Sequence, residues 1–204
     1  MISDRVLAGL CADSYDNSIV WDHIYPETDI SLVWAAIKKI DNTDVIVFRG
    51  SVTPEDWFQD FQAVPIYHNL LGGVEKGFLE GLDEIYAKVS LVIGKNPIVT
   101  GHSLGAARAC IFGGLLAATN NPPAATVGFG CPRPGYDKLT EILEPIPVRL
   151  YRNRYDPVTE VPVPVPLLCP WQHPRYLIHL SVPPLDDGVL ADHNITLYQA
   201  GVPS

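Results

Sequence analysis

A serine hydroxyl attacks a carbonyl only when a base sits beside it and when it projects clear of its own backbone. The pentapeptide Gly101-His102-Ser103-Leu104-Gly105 could supply that projection. An apolar run, Pro97-Ile98-Val99-Thr100, enters it and reads as a strand; Ala106-Ala107-Arg108-Ala109-Cys110-Ile111-Phe112 leaves it and reads as a helix. Gly-x-Ser-x-Gly at such a junction makes a sharp turn, because its flanking glycines carry no Cβ atoms to clash. The helix start then offers free N–H groups and a positive dipole end to a developing oxyanion. A Gly-rich turn with an exposed serine would account for the pentapeptide, but not for strand, helix and alanines together. Ser103 is the candidate nucleophile.

On this strand-turn-helix arrangement the partners follow in the order Ser, Asp or Glu, His. Three histidines come after Ser103. His173 lies in a proline-rich stretch, and His179, in Tyr176-Leu177-Ile178-His179-Leu180, reads as a strand residue. His193 follows the irregular stretch 183–188 and opens Asn194-Ile195-Thr196-Leu197-Tyr198, which reads as a final helix. A base just before the last helix can reach over the sheet edge, which points to His193, with His179 as the alternative. For the acid, Asp156 follows a strand ending near Tyr151, where an α/β sheet gathers its functional groups. Its role would be to take the imidazole Nδ1–H and fix the tautomer; a turn cap ahead of Pro157 is the structural alternative. Asp137, Asp186 and Asp187 lack a strand end just before them, and Asp192 adjoins His193 and should point elsewhere. One oxyanion donor would be the Leu104 N–H. The other should come from a loop after an early strand; Phe48-Arg49-Gly50-Ser51 fits, although a plain turn serine would look the same.

The elements that must position these groups alternate along the chain. Residues 5–15 read as a helix with Val6, Leu7, Leu10 and Cys11 on one face. Stretches 30–37 and 44–49 read as strands joined at Asp41-Asn42, and 75–93 as one helix through Phe78, Leu82, Ile85, Val89 and Val92. Stretches 125–130 and 147–151 read as further strands. This alternation predicts an α/β fold, a mostly parallel central sheet flanked by helices, in a single domain over 1–204. The prolines of 157–174 exclude regular helix and central strand, and predict an extended surface loop forming a wall of the site.

At 204 residues, 47% hydrophobic and 18% charged, the chain has the material for one full core. A net charge of −9 without a Lys/Arg cluster argues against nucleic acid and anionic membrane surfaces. No apolar stretch reaches the length of a membrane span. The start, Met1-Ile2-Ser3-Asp4-Arg5, shows no secretory signal, so the chain is expected to be cytoplasmic as synthesised; removal of a leader would leave the same picture. Cys11, Cys110, Cys131 and Cys169 are widely spaced and read as buried thiols. A metalloenzyme using Asp22-His23, His173 or His179 has no His-Glu-x-x-His or compact ligand spacing behind it, and no metal or cofactor is expected.

The motifs taken together resemble a known family. Phe48-Arg49-Gly50-Ser51 with Asp56-Trp57, Val74-Glu75-Lys76-Gly77-Phe78, Gly101-His102-Ser103-Leu104-Gly105-Ala106, Gly128-Phe129-Gly130-Cys131-Pro132-Arg133, Asp156-Pro157-Val158 and Asp192-His193 are similar to class 3 lipases, the fungal-lipase-like branch of the α/β-hydrolases. They run in the family's order over nearly the whole chain. The resemblance implies Ser103 as nucleophile, Asp156 as acid and His193 as base, with Ser51 and the Leu104 amide as oxyanion donors. It also implies a lid at 52–66. There Thr53-Pro54-Glu55-Asp56 is a helix start and Trp57, Phe58 and Phe61 an apolar patch over an acyl site. Glu75 stands where the family often has histidine, and the chain is compact beside the secreted fungal lipases. The implied activity is serine-dependent hydrolysis of a carboxylic ester, on short to medium acyl chains, with at most transient contact with a lipid interface. Feruloyl, polysaccharide acetyl and thioester hydrolases would share the machinery, and a catalytically inactive binding module is the reading from another class.

Overall fold

The computed structural model describes residues 2–16, 18–28, 32–184 and 187–203, and all of Asp60 but its side chain. Met1 and Asp186, named above, and residues 30–31 of the strand expected over 30–37 lie outside the described residues. The chain runs α1 (Asp4–Asp16), β1 (His23–Tyr25), β2 (Ala35–Ile40), β3 (Thr43–Phe48), α2 (Pro54–Asp60), β4 (Pro65–His68) and β5 (Gly72–Glu75). It continues through α3 (Lys76–Leu79), α4 (Leu82–Val89), β6 (Ile98–His102), α5 (Leu104–Ala118), β7 (Ala125–Phe129), α6 (Asp137–Leu143), β8 (Val148–Asn153), β9 (Leu177–Leu180) and α7 (Ile195–Gly201). Among the described residues seven strands form one sheet, ordered β1-β2-β3-β6-β7-β8-β9. The β1–β2 and β2–β3 pairs are antiparallel; from β3 to β9 every pairing is parallel.

Strand alternation sorts the core into two layers. Ala35, Ile37, Ile46 and Phe48 face α3–α6, whereas Ala36, Val45 and Val47 face α1 and α7. Helix α5 is buried from Gly105 to Leu116, as its apolar and small residues require. Asp4 at the start of α1 holds Arg149 at 2.7 and 2.6 Å and the Tyr151 hydroxyl at 2.6 Å, which fixes α1 across β8.

Several expectations need correcting. Val6 is exposed; the inner face of α1 carries Leu7, Ala8, Leu10, Cys11 and Ser14. The helix expected over 75–93 is two, α3 and α4, broken at Gly81, whose φ of 80° lies outside helical space. Val92 falls beyond α4 and is exposed. Residues 157–174 do not wall the cavities beside Ser51. The Arg133 N–H holds the Val161 carbonyl at 2.7 Å and its guanidinium the Pro162 carbonyl at 3.0 Å, drawing this loop onto the segment after β7. Residues 171–175 line a separate groove with Arg133 and His179. All four cysteines are free thiols, three of them buried.

Candidate active site

Between β6 and α5 the chain makes the turn its glycines allow. Ser103 has φ 59° and ψ −132°, a conformation costly for a residue with a side chain, and its N–H is pinned to the Phe129 carbonyl at 2.9 Å. A Cβ on Gly105 would lie 2.1 Å from the Phe48 carbonyl oxygen, so α5 packs this close to β3 only without one. The Ser103 hydroxyl is buried and has no hydrogen-bond partner among the described residues.

Asp156 follows β8 and is fully buried. Its Oδ2 holds His193 Nδ1 at 2.7 Å and accepts the Tyr198 hydroxyl, while its Oδ1 caps the next turn through the Val158 N–H at 2.9 Å. The cap and the imidazole contact therefore coexist. Burial alone would raise this carboxyl's pKa; the charge of His193 and the bonds from His193, Tyr198 and Val158 outweigh it and hold the carboxyl below its usual range. A carboxylate on Nδ1 fixes the tautomer with the proton there, leaving Nε2 as a lone pair. That Nε2 is buried and has no partner among the described residues.

His102, missed in the sequence, links the two halves. Its Nδ1 meets the Tyr15 hydroxyl at 2.8 Å and its Nε2 the His193 carbonyl at 2.8 Å, with the two imidazole centroids 4.6 Å apart. Burial, reinforced by the neighbouring His193, depresses its pKa to about 3, so it stays neutral and donates to that carbonyl. Helix α1 thereby steadies the loop carrying His193. Tyr15 is four residues beyond Cys11 on the inner side of α1, the only signal the sequence held for it.

The other candidate acids and histidines do not join this pair. Asp192 pairs with Arg154 at 3.1 Å and accepts the Tyr155 N–H. Asp137 accepts from Gln172, Asp187 borders a cavity mouth, and His173 gives its Nε2 to the Cys131 carbonyl at 2.9 Å. His179 is exposed on β9. Ser51 lies between two cavities of about 430 and 410 Å³. The first is bordered by Tyr15, His102 and His193, the second by Trp57, Phe61, Glu75 and Phe78. The N–H of Leu104, first residue of α5, has no intrahelical acceptor. In α2 the N-cap Thr53 makes no side-chain bond and Pro54 starts the helix. Trp57 and Phe61, four apart, share one face and pack with Phe78 at centroid distances of 6.3 and 5.6 Å. Phe58 points around the helix from them and lines neither cavity. Glu75 caps α3 through the Phe78 N–H at 2.9 Å and holds the Val64 N–H at 3.3 Å.

Gly130 sets the clearance. With φ +60°, a Cβ there would stand 2.7 Å from His193 Cε1 and 2.8 Å from both His193 Nδ1 and Asp156 Oδ2. Gly130→Ala is expected to displace the imidazole and lower kcat/KM on a small ester by about 100-fold or more, since misplacement by an ångström costs on that order. Circular dichroism should stay unchanged. A folded Gly130→Ala protein within about threefold of wild type would contradict this geometry.

A mostly parallel sheet with a serine on the β6–α5 turn is the α/β-hydrolase fold. The family description "Lipase (class 3)" matches residues 45–165, more than half of the chain, and the protein belongs to that family. The secreted mono- and diacylglycerol lipase 1 of Fusarium solani is 28% identical over 193 residues, covering 88% of this chain and 56% of its own. The native Rhizomucor miehei lipase propeptide complex superposes with a TM-score of 0.66 at 27% identity, over 78% of this chain and 63% of its own. The N225Q mutant of the Penicillium cyclopium protein MDLA gives 0.72 at 20% identity, over 93% and 81%, and so shares the fold. The chain spans about half the length of the curated relatives it matches.

Proposed function

We propose that this chain is a serine carboxylic-ester hydrolase working through Ser103, His193 and Asp156. The observation that carries the reading is one imidazole tied to a buried carboxylate at Nδ1 while its Nε2 and the Ser103 hydroxyl both lack partners among the described residues. His193 Nε2 takes the Ser103 proton as Oγ bonds to the acyl carbon. The Leu104 N–H and Ser51 steady the oxyanion. Collapse breaks the bond to the alcohol oxygen, which leaves with the proton from His193. Water then attacks the acyl-enzyme by the same route and frees the acid.

Because His193 must protonate the leaving oxygen, the alcohol belongs in the cavity that His193 borders. The acyl chain belongs in the other, walled by Trp57, Phe61 and Phe78. The mono- and diacylglycerol lipases among the relatives support neutral acylglycerol-type esters as the substrate class. Each methylene covered contributes about 0.8 kcal/mol, roughly fourfold in kcat/KM, until the wall ends. The walled volume is small, so short to medium chains should be preferred. Rates on p-nitrophenyl acetate, butyrate, octanoate and palmitate are expected to peak at butyrate or octanoate, without a jump when substrate forms an interface. Trp57→Ala should lose more on octanoate than on acetate, by about tenfold. A maximum at palmitate with a sharp rise at the interface would show instead a mobile apolar lid.

A further inference from the structure

The walls of the alcohol cavity carry charge of one sign. Glu55, on the first turn of α2, and Asp187, before the turn that leads to His193, both line it. Both are exposed; among the described residues neither makes an ion pair, and no Lys or Arg borders this cavity or the acyl cavity, which itself carries Asp56 and Glu75. The nearby cations are already committed: Arg49 to Glu27 at 3.4 Å and Arg154 to Asp192 at 3.1 Å. Acids alone would define nothing. Here, however, the same cavity is bordered by the 2%-exposed His193, whose Nε2 has no partner among the described residues and which the proposed mechanism uses to hand the proton to the leaving alcohol.

We infer that Glu55 and Asp187 make this site select its substrate by the charge of the leaving alcohol, favouring cationic over neutral and neutral over anionic alcohols. The inference rests on the proposed ester hydrolysis, because the alcohol occupies this cavity only if His193 protonates the leaving oxygen. During acyl transfer the acyl carbon–alcohol oxygen bond breaks and the Ser103 Oγ–acyl bond forms. The proton passes from Ser103 through His193 to the alcohol, so a fixed charge on the alcohol persists throughout and feels both carboxylates in substrate and transition state. Two exposed carboxylates lining this cavity should change kcat/KM by about three- to tenfold per unit charge at low salt, and by less as salt screens them. Anionic phospho-alcohol esters would be the disfavoured class.

Three butyrate esters of similar shape test this: butyrylcholine, its neutral isostere 3,3-dimethylbutyl butyrate, and the anionic 3-sulfopropyl butyrate. Each kcat/KM is divided by that ester's hydroxide-catalysed rate to remove leaving-group chemistry. Wild type is expected to rank them cationic, neutral, anionic, with about three- to tenfold steps that shrink as salt rises towards about 0.5 M. In Glu55→Gln/Asp187→Asn the ratios should fall to within about twofold of one, whatever happens to absolute rates. Glu141→Gln/Glu144→Gln, the same charge change on and beside α6, should leave the wild-type ranking. Wild-type ratios near one or reversed would overturn the inference while Ser103-dependent hydrolysis stands. Ratios that survive in Glu55→Gln/Asp187→Asn would overturn the assignment to these residues. Failure to hydrolyse any of the three, or hydrolysis that persists in Ser103→Ala, would overturn the ester-hydrolase reading and the inference with it.

Discussion

Ser103→Ala is expected to lower kcat on a butyrate ester by about 10⁴-fold or more, with the fold intact. In the proposed mechanism the alanine removes the atom that bonds to the acyl carbon. It leaves both cavities, the Leu104 N–H and Ser51 in place, so KM should move little. Stability should not suffer: the lost hydroxyl is buried without a partner, and removing it relieves rather than creates an unsatisfied group. The strained φ of 59° remains, carried by the backbone bond to Phe129. Turnover near wild type in a folded Ser103→Ala protein would sink the mechanism.

His193→Ala should be as damaging, and Ser103→Ala/His193→Ala no worse than either alone, because groups that act as one unit fail together. His173→Ala and His179→Ala serve as the contrast and should stay within about fivefold of wild type. His173 is spent on the Cys131 carbonyl and burial depresses its pKa to about 4, while His179 lies exposed on β9. His193→Ala also strips Asp156 of its imidazole, but the Tyr198 hydroxyl and the Val158 N–H still hold the carboxylate. The loss should therefore appear in rate before it appears in folding. An inactive His179→Ala beside an active His193→Ala would show that the base is misassigned.

The serine turn was legible because its chemistry is local. Strand, glycine, serine, glycine and helix lie within twenty residues, and each residue type answers a steric or electrostatic need on the spot. That Asp156 and His193 would meet was legible for a related reason: loops at strand ends and before a last helix are where a parallel sheet exposes side chains. Tyr15, His102, Tyr198 and Gly130 were not, because each matters only through contact with a residue far along the chain. Nothing in the stretch around Gly130 announces that a methyl group there would strike an imidazole 63 positions later (193 − 130). The break at Gly81 was hidden by an apolar spacing that continues through it, and one left-handed glycine outweighed that periodicity. In the loop 157–174 the prolines admit no α-helix, only the short 3-10 turn Pro157–Glu160, but they carry no information about where the loop lies. Its direction is set by Arg133, on another segment.

The most direct test of the central claim is to treat the protein with a fluorophosphonate, which phosphonylates a serine only where a base and an oxyanion site activate it. Intact-mass spectrometry should show one adduct per chain, and peptide mapping should put it on Ser103, with ester hydrolysis lost in proportion to labelling. The adduct should be absent in Ser103→Ala and form at least about 100-fold more slowly in His193→Ala. An adduct on another residue, labelling of Ser103→Ala at the wild-type rate, or full hydrolysis by fully labelled protein would contradict the claim.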